Sequence, residues 1–382
     1  MQDALTPTTE QELSEAVAGA REALSIRGGG TRNLSVPGTP LTVAGLSGIT
    51  LYEPGALTLV ARTGTPVEEI ESALAAEGQM LAFEPMDHRS LLGTGGNPTI
   101  GGAVAANVSG PRRVQAGACR DYLLGVRLVD GSGTIIKNGG RVMKNVTGYD
   151  LAKLMASSRG TLGVLTEVSF KVLPKPDACA TLLLTGLSVQ EAVAAMSAAL
   201  RSPFEVSGAA HVPAGLDGDP VTMIRIEGFE DKVAYRAGKL KDVLARFAPA
   251  EIERRTGGDG GYGTEPGWRW VRDAEMFASS GDDVWRISVK PSDAVAAAKA
   301  LGDAQLLLDW GGGLIWAGVA PGTDVRAKLA GIGGHATLVR ADVATFAEIP
   351  AFHPEAAPLA KLAEGLRRQF DPRGILNPGL MN

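Results

Sequence analysis

The chain has 382 residues, of which 45% are apolar, and its 37 basic and 42 acidic side chains give a formal net charge of −5. A chain of this length can bury a large core and is predicted to form two domains. The acidic balance argues against nucleic-acid binding, which depends on basic surface. Residues 1–10 have neither the basic nor the apolar region of a secretion signal, so we expect a cytoplasmic protein.

The first part of the chain is predicted to alternate short helices and strands. Thr9 and Glu12 have capping-box spacing, which predicts a helix ending at Arg21 or Glu22. Pro66 predicts the first turn of a second helix, which Gly78 ends. Strands are predicted over 41–44, 49–52 and 57–62, with a turn over 53–55, and they favour β-ribbons over a βαβ unit.

A hairpin follows, with strands over 122–129 and 133–137 on either side of the turn 130–132. Residues 148–157 are predicted to form a short helix. Apolar and polar residues alternate over 163–172, which is typical of a half-buried strand. Pro174 and Pro176 end that strand, so we predict a first domain over 1–177.

Residues 178–345 are predicted to form an α+β cap, in which an antiparallel sheet is backed by helices. Strands over 181–184 and 221–226 alternate with helices over 189–200 and 231–246, and residues 257–263 form a glycine-rich loop. No sequence repeat is evident. In the last segment, 346–382, a helix carries an apolar stripe that we expect to face a core: Leu359, Leu362, Leu366 and Phe370.

Cysteine and histidine are too sparse for a metal centre. Cys119 and Cys179 have no metal or redox spacing, and an iron–sulfur cluster needs about four thiolates. No two of the four histidines lie within a metal-ligand spacing: His88, His211, His335 and His353. The longest uncharged run, 90–111, is too rich in glycine, proline and asparagine to enter a membrane. We therefore expect no metal site and no transmembrane segment.

Two glycine-rich stretches predict a phosphate site. Residues 93–121 hold seven glycines, and residues 27–32 read Arg-Gly-Gly-Gly-Thr-Arg. Backbone this rich in glycine can bring its N–H groups against an anion, and arginines nearby can neutralise a pyrophosphate. Neither stretch has the spacing of a Rossmann or P-loop motif. The ligand is therefore expected to be a dinucleotide held by a different fold.

Ordered motifs along the chain resemble the FAD-binding domain of the vanillyl-alcohol oxidase/PCMH flavoproteins. They are residues 27–32, 98–102, 107, 109–110, 149–154 and 160–167, within a resemblance covering 10–177, and a C-terminal signature over 370–379. The resemblance implies an α+β fold: a PCMH-type FAD-binding domain of two α/β subdomains, the cap, and a C-terminal segment that returns to the FAD domain.

The resemblance also implies which residues bind FAD. They are Arg27, Gly28, Gly29, Gly30, Thr31, Arg32, Gly93, Thr94, Gly95, Gly96, Pro98, Thr99, Gly101, Gly102, Ala105, Asn107, Gly110, Gly163, Val164 and Asn377. Arg32 and Arg113 are either phosphate contacts or solvated surface charges. Thr31 stands where some family members have a histidine that bonds to the flavin, and Cys119 lacks the family's cysteinyl motif. Non-covalent FAD is therefore expected.

Within the family, residues 99–102, 109–113, 142–151 and 163–167 resemble an FAD-binding subunit of bacterial glycolate oxidase. That resemblance implies a complex with a catalytic FAD-binding paralogue and an iron–sulfur subunit, acting on a small 2-hydroxy acid, peripheral to the membrane through its partners. The family's metal-binding histidine motif is replaced here by residues 308–313, so Trp310 and Trp316 are read as packing residues or a partner surface. A stand-alone FAD-dependent dehydrogenase and a non-catalytic flavin-stabilised scaffold remain as alternatives.

Overall fold

The computed structural model describes residues 4–32, 36–141, 148–215, 218–255 and 263–381. Residues 142–147 of the motif 142–151 and residues 257–262 of the predicted glycine loop lie outside this part of the chain. Contacts divide the chain into two compact units. The first unit is Met1–Ser109, Gly117–Lys175 and Pro354–Asn382, and the second is Gly110–Ala116 and Pro176–His353. The domain boundaries at 177/178 and 345/346 stay a prediction.

The elements up to residue 175 are short, and all but one belong to the first unit. The helices are α1 (Glu10–Gly19), α2 (Val67–Ala76), α3 (Arg89–Leu92), α4 (Ile100–Ala105), α5 (Arg113–Ala116, in the second unit), α6 (Cys119–Tyr122) and α7 (Leu151–Met155). The strands are β1 (Leu24–Arg27), β2 (Thr39–Thr42), β3 (Ile49–Glu53), β4 (Thr58–Arg62), β5 (Gln79–Met80), β6 (Leu123–Val129), β7 (Ile135–Gly139), β8 (Val164–Lys171) and β9 (Leu173–Pro174).

A five-stranded antiparallel sheet in the order β3-β4-β8-β6-β7 forms the body of the first unit. The predicted hairpin is confirmed as β6 and β7, and the Asp130 carboxylate accepts from the backbone N–H groups of Ser132 and Thr134 in its turn. The half-buried pattern predicted for β8 is wrong. Thr166 and Ser169 are buried like their apolar neighbours, because β8 is the central strand.

A second, smaller assembly holds the N-terminal helix and strands. The Thr9 side chain caps α1 by accepting from Glu12, as predicted, although α1 ends at Gly19. The predicted ribbon is confirmed for β3 and β4, which pair antiparallel, whereas β2 pairs in parallel with β1. The C-terminal residues add to this assembly, because Leu24 N–H donates to the Ile375 carbonyl at 2.7 Å and Asn377 N–H to the Leu24 carbonyl at 3.1 Å.

The second unit alternates longer strands and helices. Its strands are β10 (Ala178–Thr185), β11 (Val206–Val212), β12 (Val221–Gly228), β13 (Ala250–Glu253), β14 (Asp283–Val289), β15 (Gln305–Asp309), β16 (Leu314–Val319) and β17 (Gly334–Arg340). Its helices beyond α5 are α8 (Val189–Leu200), α9 (Glu230–Leu244), α10 (Thr264–Arg272), α11 (Ala294–Leu301), α12 (Val325–Lys328) and α13 (Val343–Glu348).

These strands form one eight-stranded sheet in the order β13-β10-β12-β11-β15-β16-β14-β17, antiparallel throughout. The order contains the same β-α-β-β-α-β unit twice, β10 to β13 and β14 to β17, joined where His211 of β11 pairs with Leu308 of β15. The predicted α+β cap with an antiparallel sheet is confirmed. The internal repeat is structural and has no visible counterpart in the sequence.

The last helix, α14 (Ala357–Phe370), belongs to the first unit and corrects a prediction. Its apolar stripe was expected to face a core, yet no residue of the helix is buried. Leu359, Leu362 and Leu366 are 58%, 67% and 42% exposed. An amphipathic pattern shows that one face is apolar, but it does not show what covers that face.

Candidate functional site

The structure brings the two predicted glycine stretches into contact. We call residues 28–32 the first glycine loop and residues 93–99 the second glycine loop. The Thr94 hydroxyl donates to the Thr31 carbonyl at 2.8 Å. A Cβ atom at Gly29 would lie 1.7 Å from the Asn97 carbonyl oxygen, and one at Gly96 would lie 2.2 Å from the Gly29 oxygen. Only glycine permits this approach, because any side chain would push the loops apart.

Strand and helix ends deliver both loops to this contact. The first glycine loop follows β1 directly, and the Thr42 hydroxyl of β2 donates to the Gly28 carbonyl at 3.3 Å. The second glycine loop begins where Gly93, in the left-handed conformation with φ of 61°, ends α3. Thr99 then caps α4 by accepting from Gly102 N–H. The first glycine loop is therefore fixed at its start by β1 and β2, and the second glycine loop lies between α3 and α4.

Several backbone donors of the two loops are open to a ligand. Within the described chain, the N–H groups of Gly29, Gly30, Gly95 and Gly96 donate no hydrogen bond. Gly30 and Gly96 have φ of 72° and 83°, the left-handed region that glycine adopts at little cost. Consecutive N–H groups in such backbone form concave anion-binding sites. The predicted phosphate-binding geometry is thus available in these loops.

The backbone N–H groups at the N-terminus of α4, in contrast, are not open to a ligand. Ile100 N–H donates to the Thr65 carbonyl and Gly101 N–H to the Thr63 carbonyl, so the protein itself uses these donors. Gly101 and Gly102 lie inside α4, outside the positive-φ region. A Cβ at Gly101 would lie 2.5 Å from Thr63 Cβ. Gly101 is therefore required for close packing of α4 on the end of β4, and the expected contact of its backbone with a ligand is not supported.

Arg32 places an unbalanced positive charge beside the loops. Its Nη1 donates to the Gly102 carbonyl at 2.6 Å, while its buried Nε has no hydrogen-bond partner among the described residues. No carboxylate in that part of the chain pairs with Arg32. Burial lowers the pKa of Arg32 to about 10, so the group stays charged at neutral pH. A buried cation without a counter-charge is costly unless an anion binds there.

A second arginine lies close to Arg32, and sequence reasoning missed it. Burial, and to a smaller extent the charge of Arg32, lower the pKa of Arg159 to about 10. Burial and the charges of Arg32 and Arg159 also hold the pKa of His88 well below its usual range, so His88 is neutral. Arg32 and Arg159 are far apart in sequence, and no motif links them. The fold therefore brings Arg159 close enough to Arg32 for their charges to interact.

Asn377 supports the site and does not face a ligand through its side chain. Its Oδ1 accepts from Ile26 N–H at 2.7 Å, and its Nδ2 donates to the Arg159 carbonyl at 2.8 Å. The side chain is 4% exposed, so both polar ends are used within the protein. Asn377 thereby ties the strand that leads into the first glycine loop to the turn that carries Arg159. It is a positioning residue.

Other predicted residues also have structural roles. A Cβ at Gly163 would lie 2.5 Å from Leu128 Cδ1, and Val164 is buried in the core beneath α1. The Asn107 carboxamide oxygen accepts from Arg120 N–H at 3.0 Å. Ala105 and Pro98 form backbone hydrogen bonds within the protein: the Ala105 carbonyl accepts from Arg159 N–H, and the Pro98 carbonyl accepts from Val67 N–H. Gly110, also predicted to bind FAD, belongs to the second unit.

Arg27 and Cys119 differ in their exposure to solvent. Arg27 is exposed, and its Nε lies 3.4 Å from the Ser25 hydroxyl. Cys119 is fully buried, and burial raises the pKa of its thiol. A protonated buried thiol is a poor nucleophile. Cys119 is therefore unsuited to covalent attachment of a cofactor.

Within the described residues, no three histidine, cysteine, aspartate or glutamate side chains are close enough together to hold a metal ion. In that same part of the chain, none of the helices combines the length and the apolar character needed to cross a membrane. The open N–H groups and the unpartnered Nε of Arg32 fit a dinucleotide pyrophosphate.

Solved structures share the fold at low sequence identity. An alkyldihydroxyacetonephosphate synthase superposes with a TM-score of 0.70 at 16% identity, covering 99% of this chain and 77% of that one. The 4-ethylphenol oxidase of Gulosibacter chungangensis, solved with isoeugenol, superposes with a TM-score of 0.72 at 14% identity, covering 98% of this chain and 88% of that one. These neighbours establish the fold alone.

Sequence comparison identifies the family. Residues 2–139 match the model of an FAD binding domain. The glycolate oxidase subunit GlcD of Bacillus subtilis is 31% identical over 200 residues, which are 52% of this chain and 40% of that protein. The glycolate oxidase subunit GlcE of Escherichia coli is 37% identical over 350 residues, which are 91% of this chain and 88% of that protein. The chain belongs to the family of FAD-dependent oxidoreductases that includes the glycolate oxidase subunit GlcE.

Proposed function

We propose that this protein is the FAD-binding subunit of a glycolate-oxidising complex and takes part there in the oxidation of a small 2-hydroxy acid. The observation that carries the proposal is the contact between the two glycine loops beside the buried, unpartnered Nε of Arg32. It occurs in a chain that is 37% identical to a glycolate oxidase subunit over nine-tenths of its length.

The two glycine loops would hold the pyrophosphate of FAD. The open N–H groups of Gly29, Gly30, Gly95 and Gly96 are the donors, and Arg32 supplies the charge through Nε. Each charge-assisted hydrogen bond contributes about 1.5–3 kcal/mol. Gly102 and Asn377 support the first glycine loop from behind, through Arg32 and Ile26. Thr31 cannot attach the flavin and Cys119 is buried and protonated, so the cofactor would be held without a covalent bond.

The composition of the chain supports a role inside a complex. When bound, flavin supplies two-electron acceptance from a substrate together with one-electron release to an iron–sulfur centre. This chain has only two cysteines, fewer than the four thiolates that such a cluster commonly uses. Electrons would therefore leave through a partner. We propose a catalytic FAD-binding paralogue and an iron–sulfur subunit as partners, with the assembly on the cytoplasmic side of the membrane.

A charge-removal experiment tests the FAD site. Arg32→Gln removes the positive charge and keeps only a neutral amide near the position of Nε, and Arg21→Gln is the matched control because Arg21 is exposed. We expect Arg32→Gln to weaken FAD binding by about tenfold to a hundredfold, the equivalent of one charge-assisted hydrogen bond. The measurement is fluorescence titration of apoprotein with FAD, with circular dichroism to verify folding. Unchanged FAD affinity in a folded Arg32→Gln protein would contradict the assignment.

A further inference from the structure

The last helix, α14, presents an apolar face to solvent. Its exposed leucines are Leu359, Leu362 and Leu366, which we call the leucine stripe. Spacings of three and four residues place all three on one side of the helix. Single exposed leucines are ordinary in soluble proteins, whereas an aligned apolar face on a helix is typical of an interaction site.

The protein holds α14 near its C-terminal end. Gly131 N–H, in the turn between β6 and β7, donates to the Phe370 carbonyl at 2.8 Å, and the Arg367 guanidinium donates to the Met381 carbonyl. The half-buried residues of the helix lie in its second half: Ala363, Arg367 and Phe370. Residues 357–362, which form its first half, are all exposed. The helix is therefore anchored at one end and open to solvent at the other.

A helix of this kind has little stability of its own. The 14 residues of α14 are close to the length below which an isolated helix is marginal in water, and most helices are stabilised by burial of an apolar face. Gly365 weakens the helix further, although a Cβ at this position would meet no atom of the described chain within 4 Å. A surface that covers the leucine stripe would supply the missing burial.

The leucine stripe has the pattern of a helix that packs on other helices. Leucines spaced by three and then four residues are typical of the contact line between packed helices. Ala363 and Gly365 flank the stripe, and both are small and uncharged, so another backbone can approach closely. The charged residues lie on the opposite face of α14, with the same spacing: Lys361, Glu364 and Arg368.

A second copy of this chain fits the leucine stripe less well. The exposed fractions of the three leucines amount to less than two whole leucines, on the order of a few hundred Å², whereas each partner of a stable pair buries about 800 Å². Two copies that met through α14 alone would therefore bury too little surface. The stripe must be one part of a larger interface.

A lipid surface also fits the stripe less well. Lipid binding is favoured when basic residues beside an apolar face reach the headgroups. The residues that flank the leucine stripe are uncharged, and on the opposite face Glu364 pairs with Arg368 at 3.6 Å. An apolar protein surface is the better match.

We propose that the leucine stripe of α14 inserts into an apolar groove between helices on another chain of the oxidising complex, as one part of a larger interface. Recognition of a helix by a groove uses apolar anchors with this spacing. Because the protein already holds one end of α14, less conformational freedom is lost on association. Identification of the groove as belonging to a chain of that complex rests on the proposed function.

The test compares the two faces of α14 in the complex purified from the native host through a tag on this chain. Leu362→Gln/Leu366→Gln should lower the recovery of an identified partner, the second FAD-binding chain or the iron–sulfur chain, at least about tenfold. Glu364→Gln/Arg368→Gln is the matched control, because it places two glutamines with the same spacing on the opposite face and leaves the net charge unchanged. It should recover partners like the parent protein. Circular dichroism and FAD content verify that both variants fold.

A photo-crosslinking residue at position 362 should join this chain to the same partner, and one at position 364 should not. Equal partner recovery in the leucine variant and the parent would overturn the inference. Cross-links only to a second copy of this chain would also overturn it, as would flotation with vesicles of phosphatidylcholine and phosphatidylglycerol that depends on the leucines. The proposed function fails separately: a parent chain that recovers neither partner removes both the complex and the groove, whereas recovery that is independent of the leucines removes the groove alone.

Discussion

The contact between the two glycine loops can be broken with a single methyl group. In Gly29→Ala, the new Cβ would lie 1.7 Å from the Asn97 carbonyl oxygen, where ordinary contact begins at 3.4 Å. The neighbouring atom is backbone, so no side-chain rotation can relieve the clash. The second glycine loop must therefore move by about 1.7 Å, half of that ordinary separation.

The displacement has separate effects on binding and on folding. It moves the N–H groups of Gly95 and Gly96 away from those of Gly29 and Gly30, so we expect the proposed pyrophosphate site to lose at least one charge-assisted hydrogen bond. At about 1.5–3 kcal/mol, that loss weakens FAD binding by about tenfold to 150-fold. Overpacking costs about 1–3 kcal/mol of folding free energy, which is a Tm decrease of a few degrees for units of this size.

The assay is FAD titration of apoprotein by fluorescence, with thermal unfolding of the same samples. Gly55→Ala is the control, because a Cβ at Gly55 meets no atom within 4 Å in the same unit. We expect the control to match the parent protein in both measurements. Parent-like FAD affinity in Gly29→Ala would show that the two loops need not touch for the cofactor to bind.

Three further predictions concern attachment, support and the last helix. Acid precipitation should leave the yellow flavin in the supernatant, since Thr31 has no atom that attaches flavin and Cys119 is buried; a coloured pellet would disprove this. Asn377→Ala should lower the free energy of unfolding by about 2 kcal/mol or more in urea titrations, because Ile26 N–H and the Arg159 carbonyl lose their partner; an unchanged midpoint would contradict this role. The exposed leucines of α14 are Leu359, Leu362 and Leu366, and replacing each by glutamine should change the free energy of unfolding by less than about 0.5 kcal/mol. Leu13→Ala in the core should cost about 2–5 kcal/mol. A large loss of stability at any of the three leucines would show that the apolar stripe is covered.

Local signals predicted individual elements well. Helix α8 runs from Val189 to Leu200 as predicted, because Ser188 and Glu191 form a complete capping box at its start. The hairpin of β6 and β7 was predicted from its turn residues, and Asp130 stabilises that turn through its own carboxylate. In both cases the residues that define the element lie within a few positions of it.

Features that depend on distant partners were not predictable in the same way. The sequence shows that Gly101 is a glycine, but the reason lies in Thr63 of a neighbouring strand. Arg159 joins Arg32 only because the turn at residue 159 packs on α4 and on Asn377. The double β-α-β-β-α-β arrangement is set by strand order in the sheet. Its two halves need the same pattern of buried and exposed positions but not similar sequences, so the repeat cannot be seen in the sequence.

The same limit applies to the arginines of the second unit. Arg112 and Arg113 are adjacent in a glycine-rich stretch that resembles a cofactor loop, yet both belong to the second unit. One forms an ion pair with Glu227 and the other stacks on Trp310. Trp316 is 3% exposed and packs as expected, whereas the indole ring of Trp310 contacts the guanidinium groups of Arg113 and Arg286. Residue type alone did not separate these roles.

We propose that this chain works as an FAD-binding subunit within a larger oxidising complex. Purification from the native host through a tag on this chain, followed by identification of every co-purified chain, its flavin and its iron, tests that role. We expect stoichiometric recovery of a second FAD-binding chain and an iron–sulfur chain, with 2-hydroxy-acid oxidation in the assembly and little in the isolated chain. Recovery of only a free monomer or homo-oligomer with strong 2-hydroxy-acid dehydrogenase activity would contradict it.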